Sequence, residues 1–200
     1  MTTCNVSFAS PALLSSPTAH ERILAASYDL FARRGIRDVS MDEVIASSGV
    51  AKATLYRHFP HKDDLVLAFL ERREQLWTYG MVEAGARSRA DTPADQLLAI
   101  FDVFHDWFQR ADFEACSFVN VLLEMGPDHP AGRASSAHLA TIRVLIASLA
   151  TEAGLRDPDE FALAWHVLMT GSIVQASQGD LLAAKRSKAM ARMLIAEHSL

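Results

Sequence analysis

Gly49-Val50-Ala51-Lys52-Ala53-Thr54-Leu55-Tyr56-Arg57-His58-Phe59 is the stretch that decides how this chain folds. Gly49-Val50 reads as a tight turn, because glycine tolerates the left-handed conformation that closes a helix. Residues 52–58 then read as a short helix on which Leu55 and Phe59, four apart, share a face and point into a core. The other positions are crowded with chemistry. Lys52, Thr54, Tyr56, Arg57 and His58 fall within two turns, more hydrogen-bonding and cationic groups than a structural helix needs. Upstream, Ser40 and Glu43 have the S-x-x-E spacing of a capping box and start a helix over 41–48. Thr18 and Glu21 repeat that spacing and start a helix over 18–34, with Ile23, Leu24, Ser27, Leu30 and Phe31 on one face and Glu21, Arg22, Asp29 and Arg33 elsewhere. Three short helices with a tight turn between the second and third form the pattern of a helix-turn-helix module, whose last helix enters the major groove of DNA.

Read as a whole, Thr18 to about Leu70 strongly resembles the DNA-binding domain of tetracycline-repressor (TetR) family regulators. The match is densest over Phe31-Ala32-Arg33-Arg34-Gly35-Ile36-Arg37-Asp38-Val39-Ser40-Met41-Asp42-Glu43-Val44-Ile45-Ala46 and again from Gly49 to Leu65. The resemblance implies an N-terminal three-helix module and a helical C-terminal domain whose last two long helices form a homodimer interface. It also implies a small-molecule pocket whose occupancy releases DNA. Carried over by position, Ser40, Met41, Lys52, Thr54, Tyr56, His58 and Lys62 would be the DNA contacts. Lys52 and Thr54 would meet bases, and Ser40, Tyr56, His58 and Lys62 phosphates. Lys62 opens the next helix, where its charge and free backbone N–H groups can meet one phosphate together. One departure stands out: Ala51 occupies the cap of the recognition helix, where the family very often has Ser or Thr, at a cost on the order of 1 kcal/mol of local helix stability.

Beyond the module the chain reads as all-α, with about nine helices in total. The remaining helices are expected near 62–86, 93–110, 116–125, 131–153, 158–177 and 180–197. Thr92-Pro93 and Asp157-Pro158 each place a capping oxygen before a proline at the first helical position, with Asp95 and Glu160 in the first turns. The domains are then a flexible arm over 1–17, a DNA-binding domain over 18–64 and a ligand-binding and dimerisation domain over 65–200. The arm has no Arg or Lys to insert into a minor groove. A net charge of −5 would by itself argue against nucleic acid. Its distribution does not: residues 18–73 hold nine Lys and Arg against eight Asp and Glu, whereas residues 74–200 hold ten against sixteen. The acidity belongs to the C-terminal half.

That half offers an apolar pocket as the effector site. Phe101, Phe104, Trp107, Phe108, Phe118, Trp165 and Met169 are its expected lining, with His105, Asn120 and His166 as polar groups to orient a small apolar or aromatic molecule. The competing reading is that these aromatics simply fill the core. On the last helix, Lys185, Arg186, Lys188 and Arg192 read as a solvated basic side and the Ala and Met positions as a face for a two-fold copy, the homodimer forming through 158–177 and 180–197. A membrane-surface role for that helix is the alternative.

Enzymatic readings find little support. No Gly-rich phosphate loop and no nucleophile elbow occurs, the histidines lack a recurring metal spacing, and no cofactor or metal is expected. Two cysteines, Cys4 and Cys116, cannot build a disulfide framework, and Cys116 ahead of an apolar helix reads as an inert small hydrophobe with redox sensing as the alternative. The opening residues lack the cationic start of a signal peptide, and no uncharged apolar run approaches the roughly 18 residues of a membrane span, so a cytoplasmic setting without a membrane partner is expected. The reading is therefore a ligand-responsive, DNA-binding transcriptional regulator that acts as a repressor on a palindromic operator. The alternative is a helical small-molecule-binding or interaction protein without specific DNA readout.

Overall fold

The computed structural model describes residues 16–199, so the expected N-terminal arm, apart from Ser16 and Pro17, and Cys4 lie outside the described residues. Among the described residues there are nine helices and no strand. They are α1 (Ala19–Arg34), α2 (Met41–Ser48), α3 (Lys52–His58), α4, α5 (Pro93–Phe108), α6 (Ser117–Met125), α7 (Pro130–Glu152), α8 (Pro158–Ser177) and α9 (Ala183–His198). The fourth, α4, is continuous: Lys62–Arg73 is α-helical, Glu74–Glu83 is π-helical, and Ala84–Arg87 returns to α. A π stretch of this length is unusual, since i→i+5 bonding normally appears as a single wide turn.

Local chemistry sets most of the boundaries. Thr18 and Ser40 each accept the backbone N–H three residues on, and the Glu21 and Glu43 carboxylates accept the cap N–H in return, so both capping boxes form. Thr92 accepts the Asp95 N–H and Pro93 follows it, as expected. Asp157 departs from expectation. Its backbone is left-handed, with φ +50°, and its side chain makes no cap bond. The cause is tertiary: Arg156 donates its N–H to the His198 carbonyl at 2.8 Å and its guanidinium to the Glu197 carbonyl at 2.6 Å. The entry to α8 is thereby tied to the end of α9.

In the N-terminal module α1 packs on α2, α3 and α4, around Ile23, Phe31, Val39, Val44, Leu55, Phe59 and Leu65, all buried. Because Leu65 and Phe69 of α4 belong to this core, the division expected at residue 64 falls inside a helix that runs without a break from the module into the second half. α5 is buried on several sides, with Leu97, Ile100, Phe101, Phe104, Trp107 and Phe108 all inside. The basic side of α9 is not wholly solvated: Lys188 turns back onto α5 and pairs with Asp102 at 2.5 Å. A carboxylate edge on α5, within reach once α9 packs there, explains the difference.

Two features hold the module against the rest. Glu124, near the end of α6, accepts the backbone N–H of Ile36 at 2.9 Å and of Arg37 at 2.5 Å, so one carboxylate fixes the α1–α2 loop. α7 packs against α4, α5, α6 and α8. It is the one described helix long and apolar enough to cross a membrane, which a search for uncharged runs misses because Arg133 and Arg143 interrupt it.

Candidate nucleic-acid interface and cavity

The turn between α2 and α3 is made by Gly49, at φ +65° and ψ 26°, whose N–H returns to the Ile45 carbonyl. No atom lies within 4 Å of where a Cβ would stand, so it is backbone conformation and not space that selects glycine there. α3 then sits with Leu55 fully buried and Phe59 nearly so, as the spacing predicts. Lys52, Tyr56, Arg57 and His58 are exposed and Thr54 is half-buried. Lys52, 67% exposed, makes a 3.3 Å contact with Asp42. An exposed pair of this kind contributes about 0–1 kcal/mol, so a phosphate can take the ammonium from it readily. His58 stands edge-on to His20, which in turn stacks on Phe59 at 5.2 Å.

Ser40, Met41 and Lys62, which lie outside α3, behave differently. The Ser40 hydroxyl is engaged, donating to Glu43 Oε2 at 2.9 Å while it caps α2. That carboxylate is held down at about 2 by the Ser40 backbone N–H and by Arg34. A phosphate contact from Ser40 thus competes with a satisfied cap, and Met41, half-buried behind it, offers backbone and surface but no charge. Lys62 is the first residue of α4 and half-buried, with Asp63 and Asp64 next to it and Asp64 accepting the His61 N–H.

Ala51 has the extended backbone of a cap residue but no side chain to cap with. Ala51→Ser is expected to raise stability by about 1 kcal/mol, since serine there can accept a first-turn N–H that is now free. A urea-unfolding midpoint unchanged by the substitution would show that packing alone fixes the start of α3.

The residues expected to line an effector pocket separate into two groups. Phe101, Phe104, Phe108, Phe118, Trp165 and Met169 are all buried in the core, with ring centroids 5.3 Å apart for Phe101–Trp165 and 5.8 Å for Phe104–Phe108. Asn120 is exposed on α6, which takes it away from that cluster. His105 and His166 are half-buried. Burial, then the neighbouring Arg143, pulls His166 down to about 4, so it is a neutral imidazole at pH 7. Only Trp107 of the ten lines the two cavities that flank the π stretch of α4.

Those cavities, of about 320 and 240 Å³, share Gly80, Met81, Trp107 and Arg110. The larger is also walled by Tyr28 of α1, by Arg73 and Trp77 of α4, and by Glu114. Arg73 is buried there, and its Nη1 donates to the Tyr28 hydroxyl at 2.5 Å and to Glu114 Oε2 at 3.1 Å. Burial raises both Tyr28 and Glu114, against the pull of Arg73. The expectations from sequence miss this constellation. Its signal was the spacing Phe69, Arg73, Trp77, which puts an arginine in the buried row of α4. Cys116 is buried close by and burial pushes its thiol up, which disfavours the reactive thiolate. Among the described residues no group of three His, Cys, Asp or Glu converges as metal ligands would.

Residues 23–69, nearly the whole module, match the family model of bacterial regulatory proteins, tetR family. The HTH-type transcriptional activator FasR of Mycolicibacterium smegmatis is 33% identical over 89 residues, which cover 44% of this chain and 40% of that one. An uncharacterised HTH-type regulator of Lactococcus lactis is 24% identical over 52% of this chain and 54% of its own length. The chain therefore spans about half, or less, of the length of these relatives. Structural likeness extends further. A TetR-family transcriptional regulator from Streptomyces coelicolor superposes with a TM-score of 0.82 and 28% identity over 91% of this chain and 96% of that one. The reduced form of NemR from Escherichia coli shares the fold, with a TM-score of 0.79 and 20% identity over 88% of this chain and 96% of its own.

Proposed function

Because the chain belongs to the tetR family of bacterial regulatory proteins, we propose that it is a homodimeric repressor that binds a pseudo-palindromic DNA operator in the cytoplasm and is released by a small apolar or aromatic effector. The observation that carries this reading is α3: exposed Lys52, Tyr56, Arg57 and His58 above a buried Leu55 and Phe59. Lys52 and Thr54 read bases, while Tyr56, His58 and Lys62 hold phosphates. Ser40 and Met41 bring the start of α2 to the backbone. The dimer reading is supported by apolar side chains left in the open on the last two helices, among them Val167, 70% exposed, on α8 and Met193, 72% exposed, on α9. An isologous contact through these faces pairs two modules about a two-fold axis, and a two-fold protein calls for a two-fold site. Release requires that the effector bind the arrangement that cannot span both half-sites more tightly than the one that can.

The relatives are regulators, not enzymes, and one of them is an activator, so the module itself serves either sign. Repression is the simpler output because it needs only occupancy of the operator. Selection from random duplexes is expected to enrich a palindrome, and a reporter placed behind it should fall when the protein is present. Lys62→Ala should lower the slope of log affinity against log salt by about 1, and Thr54→Ala should relax base preference by about 1–3 kcal/mol at one position of each half-site. Salt-sensitive binding that enriches no sequence would instead favour a helical ligand-binding or interaction protein without specific readout.

A further inference from the structure

The larger cavity lies where the DNA-binding module meets the rest of the chain, and its wall is chemically incomplete. Arg73 is 5% exposed and sits in that wall. Its Nη1 is used by Tyr28 and Glu114, but its Nη2 is sealed from solvent without an acceptor. Trp77 Nε1, in the same wall, is sealed without an acceptor as well. Each buried donor left unpaired costs about 1–3 kcal/mol, so the site holds more donors than the protein satisfies.

The charges around it are unequally met. Arg110 also lines the cavity, but Asp112 holds it in a fork at 2.7 and 2.5 Å. Arg73 has a single 3.1 Å contact with Glu114, whose burial favours the protonated carboxyl. With Nη2 unpaired and Nη1 shared with the Tyr28 hydroxyl, Arg73 can offer its Nη1–Nη2 pair to two oxygens in one plane once Tyr28 gives way. Trp77 and Trp107, 5.7 Å apart and edge to face, give the cavity flat aromatic sides, and Gly80 leaves its floor without a side chain. The volume of about 320 Å³ is at the small end of the range for ligand sites.

We propose that this cavity is the effector site and that it takes a small organic carboxylate with a planar apolar body, the acid group on Arg73 and the body against Trp77 and Trp107. This deepens the effector reading above and rests on it. The acid competes with the Tyr28 hydroxyl for Arg73. Tyr28 belongs to α1, so occupancy of the cavity loosens the module from α4 and thereby reaches the DNA-binding helices.

The test is calorimetric titration of the full chain, without DNA, with 2-naphthoate and with its neutral counterpart 2-naphthamide. Saturable binding of one naphthoate per chain is expected, with the amide at least tenfold weaker. Arg73→Gln should weaken naphthoate at least tenfold and leave the amide within about twofold. Because a buried arginine is being removed, Leu76→Trp serves beside it. Leu76 is 51% exposed at the cavity wall, and the larger side chain should abolish binding of both compounds while circular dichroism stays unchanged. No naphthoate binding, equal binding of acid and amide, or a folded Arg73→Gln protein that keeps its naphthoate affinity overturns the proposal. Operator affinity measured in parallel separates the two readings. Selective DNA binding with no response to naphthoate sinks the cavity proposal alone, and naphthoate binding through Arg73 with no selected duplex sinks the regulator reading alone.

Discussion

Gly132→Ala is expected to destabilise the chain by more than about 3 kcal/mol, at the upper end of what overpacking costs. Gly132 lies in the first turn of α7 and is buried. A Cβ built there stands 1.8 Å from the Gly126 carbonyl oxygen and 2.8 Å from its carbon. Both are backbone atoms, so no side chain can swing aside. The loop they belong to has little freedom: Gly126 closes α6 at φ +86°, Pro130 starts α7, and His129 Nδ1 accepts the Ala131 N–H at 3.2 Å. Relief therefore requires α6 and α7 to separate. A thermal midpoint lower by about 6–12 °C is the expected reading for a chain of this size, and a midpoint within 2 °C of the unsubstituted protein would show that the 126–129 loop yields freely.

The second large effect concerns Glu124. Its two oxygens are the acceptors for the Ile36 and Arg37 N–H groups, and Ile36 is buried. Hydrogen bonds to a charged acceptor contribute about 1.5–3 kcal/mol each. The exposed Arg37 N–H can turn to water once released, so Glu124→Ala is expected to remove about 2–4 kcal/mol, less than two full bonds, and Glu124→Gln about half of that, because an amide keeps one acceptor. The loop also sets the angle between α1 and α2. Operator affinity should therefore fall at least tenfold for the alanine variant, and the Ile36 and Arg37 amides should exchange with solvent faster than their neighbours. If those two amides exchange as slowly as before, or if affinity is unchanged in a folded variant, Glu124 is not what holds the module.

Much of this architecture is legible in the sequence because it is decided locally. Thr18 with Glu21, Ser40 with Glu43 and Thr92 with Pro93 are each complete within four residues, and every helix they start begins where they place it. Leu55 and Phe59 are likewise a matter of spacing. The features that escaped depend on distant partners. Asp157 fails as a side-chain cap because residues at the far end of α9 hold Arg156. Lys188 leaves the solvent for a carboxylate 86 positions away. The aromatic residues of α5 and α8 were legible as apolar, but which of them face a void depends on how α4 presents Arg73, Trp77 and Gly80, and on a bond from Arg73 to Tyr28, 45 positions away.

The wide stretch of α4 has a consequence for how long one side of a helix can stay inside. Val66, Leu70, Thr78, Val82 and Ala86 are all buried and lie at steps of four or a multiple of four. In an ordinary α-helix a step of four overshoots the turn by about 40°, so a row kept at that spacing drifts off the core. The i→i+5 winding over 74–83 holds more residues in each turn and offsets the drift. One unbroken helix thereby keeps the same side toward the interior from the N-terminal module into the second half.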